Sequence, residues 1–167
     1  MMMRSEKGVS AVEFALIAPL LFVLTFGIVE FALLLFDKAV ITNASREGAR
    51  AAVVFHTDGS PLPEGYTPLS IPDIQDVVTN YANNYLINLG QSGENDLTDA
   101  DIVVEYSDDP TDNESWGPGP PVFAEEWYVR VNVTYTYDFL VLPDLTGLLG
   151  GDFNIPPLEG RTVMRME

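Results

Sequence analysis

The chain has 167 residues, a formal net charge of −17, no cysteine and a single histidine. That length suits one membrane helix plus a small domain of roughly 100 residues, and the missing cysteines exclude disulfides, thiolate metal sites and cysteine nucleophiles. Residues 1–50 carry five basic and five acidic side chains, so the whole negative charge lies beyond residue 50, where Arg130, Arg161 and Arg165 are the only basic residues. Nucleic acid and anionic lipid headgroups repel such a region, which excludes nucleic-acid binding. The ordinary consequence of the acidity is solubility.

Residues 1–8 form a short polar leader with Arg4, Glu6 and Lys7, and residues 11–36 are almost wholly apolar, with Glu13 and Glu30 as their only charges. About 20 helical residues cross a hydrocarbon core about 30 Å thick, so residues 9–36 read as a transmembrane helix. The basic leader favours a cytoplasmic N-terminus, an asymmetry that Lys38, Arg46 and Arg50 on the far side reduce. The run is too long for the h-region of an ordinary signal peptide (about 7–15 residues), and no A-x-A-like site closes it. A carboxylate costs about 2.5–3.5 kcal/mol at the centre of a membrane helix and less near the interface, so Glu13 calls for a partner. Glu30 lies about 25 Å further along the helix, where its side chain reaches the outer headgroups. Pro19 deprives the Ala15 carbonyl of its helical donor and should kink the membrane half.

The helical pattern continues past Phe36, with apolar or small residues at Val40, Ile41, Ala44, Ala51 and Val54. Gly48 is a weak helix former there, at a cost of about 1 kcal/mol. One helix is expected over residues 9–56, with residues 37–57 as an amphipathic extension of the membrane half. Arg46 and Arg50, spaced i to i+4 beside Glu47, either pair locally or contact lipid phosphate or a partner. His56, alone at the helix end, has no companion ligand for a metal.

Residues 58–167 read as an acidic domain outside the cytoplasm. Residues 58–72 are a Gly-, Pro- and Ser-rich loop. Ser70, with Asp73 three residues on, is a helix N-cap, and Ile74, Val77, Val78, Tyr81, Tyr85 and Leu89 follow a helical period up to Gly90. A strand is expected at residues 102–106, then a loop over 108–121. Residues 127–137 alternate strictly, with Trp127, Val129, Val131, Val133, Tyr135 and Tyr137 on one face, the clearest strand in the chain. Residues 139–149 are apolar but broken by Pro143 and Gly147, and residues 161–166 supply a last strand. The fold class is therefore α+β, with a long N-terminal helix, one short helix and a small antiparallel sheet packed on the outer half of the long helix.

Asp96, Asp99, Asp101, Asp108, Asp109 and Asp112 are candidate calcium ligands, since calcium takes oxygen donors. Their spacing does not match an EF-hand, and Asp-, Asn- and Gly-rich loops are ordinarily solvated turns. Trp116, beside a Gly-Pro run, is a candidate exposed contact. No pair of carboxylates is spaced as acid and base, and neither a phosphate loop nor a nucleophile elbow occurs, so neither an enzyme nor a cofactor site is expected.

Gly8, followed five residues later by Glu13 and Phe14 at the head of an apolar helix, resembles the class III export signal of type IV pilins and pseudopilins. Together with Pro19 and the run from Asn43 through Arg46, Gly48 and Arg50, it resembles more narrowly the TadE-like family, minor pseudopilins of the tight-adherence (Tad/Flp) pilus. The ending from Arg161 to Glu167 is similar to TadE-type C-termini. The resemblance implies a single-pass protein of the bacterial inner membrane, cut by a prepilin peptidase between Gly8 and Val9. It implies as partners other pilins, pseudopilins and Tad assembly proteins, with Glu13, Phe14 and Pro19 setting helix register and assembly. A different class of protein also fits the residues: a signal-anchored exported domain that binds calcium or a surface ligand and enters no filament.

Overall fold

The computed structural model describes residues 6–54, 56–57, 66–67, 69–87, 97–119, 127–137, 139 and 156–166. Its first element, α1 (Glu6–Val53), runs for 48 residues, about 70 Å at the helical rise, and passes unbroken through Pro19. It begins three residues before the expected start. It also stops short of His56, which lies instead in a two-residue strand, β1 (His56–Thr57), paired antiparallel with β2 (Tyr66–Thr67). Those strand hydrogen bonds replace the ones a continued helix would supply. The expected leader before Glu6, most of the 58–72 loop and all of residues 140–149 lie outside the described residues.

The chain divides into two compact units, Met1–Leu34 with Phe139–Asn154, and Leu35–Asp138 with Ile155–Glu167. In the first unit, α1 carries a row of exposed apolar side chains from Val9 to Phe31. Glu30 departs from its expected place at the headgroups: its side chain is only 2% exposed.

The second unit is built on the other half of α1. Small and apolar residues at Ile41, Ala44, Ser45, Gly48, Ala49 and Ala52 are buried there, and their spacing by three and four makes one face of the helix. Packed against the same core is α2 (Ile71–Tyr85), which buries Ile74, Val78 and Ala82. Ser70 caps α2 as its sequence position requires: its Oγ accepts the Asp73 N–H and donates to the Asp73 carboxylate at 2.5 Å. The helix ends at Tyr85 rather than at Gly90, which lies outside the described residues. Leu86 turns to an extended conformation, and the Ile87 N–H donates to Asp37 Oδ1 at 3.1 Å instead of to a helical carbonyl.

After a short 3-10 turn at Asp99–Asp101, the three strands β3 (Ile102–Ser107), β4 (Tyr128–Tyr135) and β5 (Leu158–Arg165) form one antiparallel sheet in the order β3-β4-β5. β4 is central and alternates as expected: Val129, Val131, Val133 and Tyr135 are buried on the helix-facing side. β5 starts at Leu158, earlier than the Arg161 expected, because Tyr135 and Thr134 pair with Leu158 and Glu159.

Two glycines permit the close fit of α1 to its neighbours. A Cβ on Gly48 would come within 2.3 Å of Val78 Cγ2 on α2, and one on Gly160 within 2.5 Å of the Ile41 carbonyl oxygen on α1. The helix backbone therefore rests directly on β5, a distance only glycine allows. Ser45, buried on the same face, donates from Oγ to the Val131 carbonyl at 2.8 Å and ties α1 to the central strand.

Candidate assembly site

The residues singled out for assembly lie at the start of α1. Gly8, Val9, Glu13, Phe14 and Pro19 are all exposed, and a Cβ on Gly8 would meet open space. The peptide bond between Gly8 and Val9 is already inside the helix, since α1 begins at Glu6. By length and composition this is the one helix among the described residues able to cross a membrane, and no residue of its most apolar 18-residue window is buried against other described residues. Exposed Val12, Phe14, Leu16, Ile17, Leu20 and Leu21 surround Glu13 along the helix. A surface of this kind has no stable place in water and is satisfied by lipid or by other apolar helices.

The remaining candidates settle into local arrangements. Arg50 donates to both carboxylate oxygens of Glu47, at 2.6 and 3.0 Å, and Arg46 donates to Asn43 Oδ1 at 3.3 Å. These bonds favour local pairing among the options left open for the two arginines, and such exposed pairs add little stability. Trp116, expected as an exposed contact, is half-buried: the Arg130 guanidinium lies 4.2 Å from its ring centroid. That same guanidinium donates to Glu105 Oε2 from Nη2 at 2.5 Å and from Nε at 2.8 Å. One cation thus binds an aromatic face and a carboxylate across β3 and β4.

Among the described residues no three His, Asp or Glu side chains cluster as a metal site. Asp96 lies outside them. Asp101 accepts from the Thr98 N–H and hydroxyl, and Asp112 accepts from the Glu114 N–H at 2.9 Å. Asp109 accepts from the Thr111 hydroxyl and N–H, and these bonds hold its carboxyl below the ordinary 3.8. These carboxylates close their own turns. For His56 only the main chain is described.

Sequence reasoning assigned no structural contact to Asp37, Lys38, Gln75 or Gly160. Asp37 is fully buried, with Oδ1 taken by Ile87 and Oδ2 without a hydrogen-bond partner among the described residues. Lys38 donates from Nζ to the Glu159 carbonyl on β5. Gln75 donates from Nε2 to the carbonyls of Asp99 and Ile102, at 3.1 and 3.0 Å. The available signal for Asp37 was an acid placed just where an apolar helical run continues on one face.

Residues 8–50, about a quarter of the chain, match the family model described as TadE-like protein. The matched stretch holds Gly8, Glu13, Pro19, Arg46, Gly48 and Arg50 and lies wholly within α1. No curated protein and no solved structure matches the chain.

Proposed function

We propose that this chain is a minor pseudopilin, anchored by α1 in the bacterial cytoplasmic membrane with its acidic unit outside. It takes part in assembly or initiation of a Tad/Flp-type pilus by packing α1 against other pilin helices, and it is not an enzyme. The observation that carries this reading is the row of exposed apolar side chains on α1 from Val9 to Phe31, with Glu13 placed among exposed Phe14, Leu16 and Ile17, inside the stretch that matches the TadE-like model.

The chemistry follows from those residues. Hydrolysis of the peptide bond after Gly8 by a prepilin peptidase leaves Val9 with a free α-amino group, whose ordinary pKa near 7.7–8.0 keeps it mostly cationic at neutral pH. Glu13 of a neighbouring subunit meets that ammonium, and each charge lowers the cost of holding the other in lipid. Removal of Arg4 and Lys7 with the leader frees the helix end from its cytoplasmic anchor.

Two measurements in the native host test the reading. The mature N-terminus of protein purified from membranes should be Val9, and an intact Met1 in cells whose other prepilins are cut would remove the processing step. Glu13→Ala should abolish pilus assembly while the protein stays in the membrane at normal abundance. Normal piliation in that variant would favour a plain signal-anchored exported domain instead.

A further inference from the structure

Two contacts set the direction of α2 within the second unit. Val78 and Ile74 lie against Gly48 of α1, and further along α2 the Ile87 N–H donates to Asp37 Oδ1. The pairs Val78–Gly48 and Ile87–Asp37 make α2 antiparallel to this half of α1, and the two helices advance by matching amounts between them, about 14 and 16 Å at the helical rise. α2 therefore ends beside Asp37, one residue beyond the apolar run, which closes with exposed Leu35 and Phe36. All of these residues belong to the second unit. β4 ends at the same level: Lys38 donates to the carbonyl of Glu159, whose neighbour Leu158 pairs with Tyr135, the last residue of β4.

The apolar face of α2 overruns the core at this end. Ile74 and Val78 are buried, Tyr81 is half-buried, and Tyr85, next in the same helical row, is 57% exposed. Its ring lies 5.0 Å from that of Tyr81, centroid to centroid. Charge is graded along the same axis. Asp73 and Asp76 stand near the start of α2, and residues 77–93 carry no charged side chain, the longest uncharged run beyond residue 50. Of the charged residues next to the end of α2, Asp37 is buried, Lys38 donates to the Glu159 carbonyl, and Glu159 is exposed.

We propose that Tyr81, Tyr85 and Leu86, at the C-terminal end of α2, lie in the headgroup layer of the bilayer that α1 spans, so that the acidic unit rests on the membrane surface. The proposal rests on the reading of α1 as a membrane span. Tyrosine suits that layer, because its ring takes the apolar side and its hydroxyl the wet side. The layer is about 5–7 Å deep on each side of the hydrocarbon core. One helical turn is about as long, so the last turn of α2 reaches the layer while Asp73 and Asp76 stay in water. Continuity selects lipid as the occupant: the bilayer that takes Leu35 and Phe36 meets the end of α2 with no further component. The surface is zwitterionic, since Glu159 and the −17 carried beyond residue 50 repel anionic headgroups.

The chain has no cysteine, so a single introduced one carries a nitroxide label at a known place. The full chain is placed at one copy per nanodisc of phosphatidylcholine, and the depth of each label is read from its relative access to oxygen and to a water-soluble nickel complex. Phe22→Cys reports the span, Asn84→Cys the end of α2 and Asp76→Cys its far turn, all at exposed side chains. Nickel should be excluded at position 22, partly excluded at 84 and freely admitted at 76. With the label at 84, Tyr85→Ser should lose the exclusion and Tyr85→Trp should keep it, with helix content unchanged by circular dichroism. Free access at 84 while position 22 stays deep would overturn the proposal and leave the span standing. Free access at 22 would remove the span and the proposal with it. Exclusion at 84 that survives Tyr85→Ser would overturn the proposal too. Exclusion found only in discs that hold two or more copies would assign the surface to a second chain and overturn it as well.

Discussion

The carboxylate of Asp37, fully buried on α1, accepts the main-chain N–H of Ile87 at 3.1 Å, 50 residues away in sequence. This bond stands where the next helical bond of α2 would have been, so it both ends α2 and ties the chain after it to α1. Removing the acceptor leaves a part-buried N–H unsatisfied. Asp37→Ala should lower the unfolding free energy by about 1–3 kcal/mol and speed exchange of the Ile87 amide. Unchanged stability and exchange in that variant would show that another group satisfies Ile87.

Gly48→Ala gives a result opposite to helix propensity. In an exposed helix the change would stabilise by about 1 kcal/mol. Here the new methyl group would meet Val78 Cγ2, and the stiff β-branched side chain cannot swing away. The variant should be destabilised, and Val78→Ala should be less costly in its background than in the parent chain. Additive effects in chemical denaturation would show that the two sites do not press on each other.

Tyr106 gives the unit a dependence on alkaline pH. Burial pushes its phenol up to about 12, and its hydroxyl has no hydrogen-bond partner among the described residues. The folded value lies above the ordinary 10.0, so the contribution to stability is complete below pH 10 and is lost as pH rises toward about 12. Stability measured across that window should fall more steeply in the parent than in Tyr106→Phe. At neutral pH the Phe variant should be nearly as stable as the parent, since the hydroxyl it removes is unsatisfied. Equal slopes for the two proteins would mean that Tyr106 ionises freely in the folded state.

Arg130→Lys keeps the charge but loses the planar group that lies on Trp116 and donates twice to Glu105. With the Arg130 side chain 13% exposed and that of Glu105 28% exposed, a loss of about 1 kcal/mol is expected. Trp116 fluorescence should shift as the ring is uncovered, a change checked against Trp116→Phe. An unaltered spectrum would remove the stacked arrangement.

Local signals explain which parts of this fold were legible. Ser70 with Asp73 declared the start of α2, and the strict alternation around Val131 declared β4, because capping and pleating act between near neighbours. The end of α2 was not legible, since it is decided by Asp37 from another element. Gly48 read as a weakness of α1 for the same reason: its value lies in the approach of Val78, which no local pattern encodes. At the candidate site, the exposed apolar run around Gly8 and Glu13 was readable, because hydropathy is a local property of the chain. Trp116 was misplaced because its cover, Arg130, comes from a strand 14 residues away.

The pairing of Gly117 with Tyr106 has a consequence for solubility at high concentration. Sheets open at both edges can join head to tail without limit and grow into fibres. The bridge at Gly117 occupies the main-chain groups of Tyr106 and so acts as a stopper at that end of β3. Deleting residues 108–117 would therefore free the main-chain groups of Tyr106 and leave that end of β3 open to another strand.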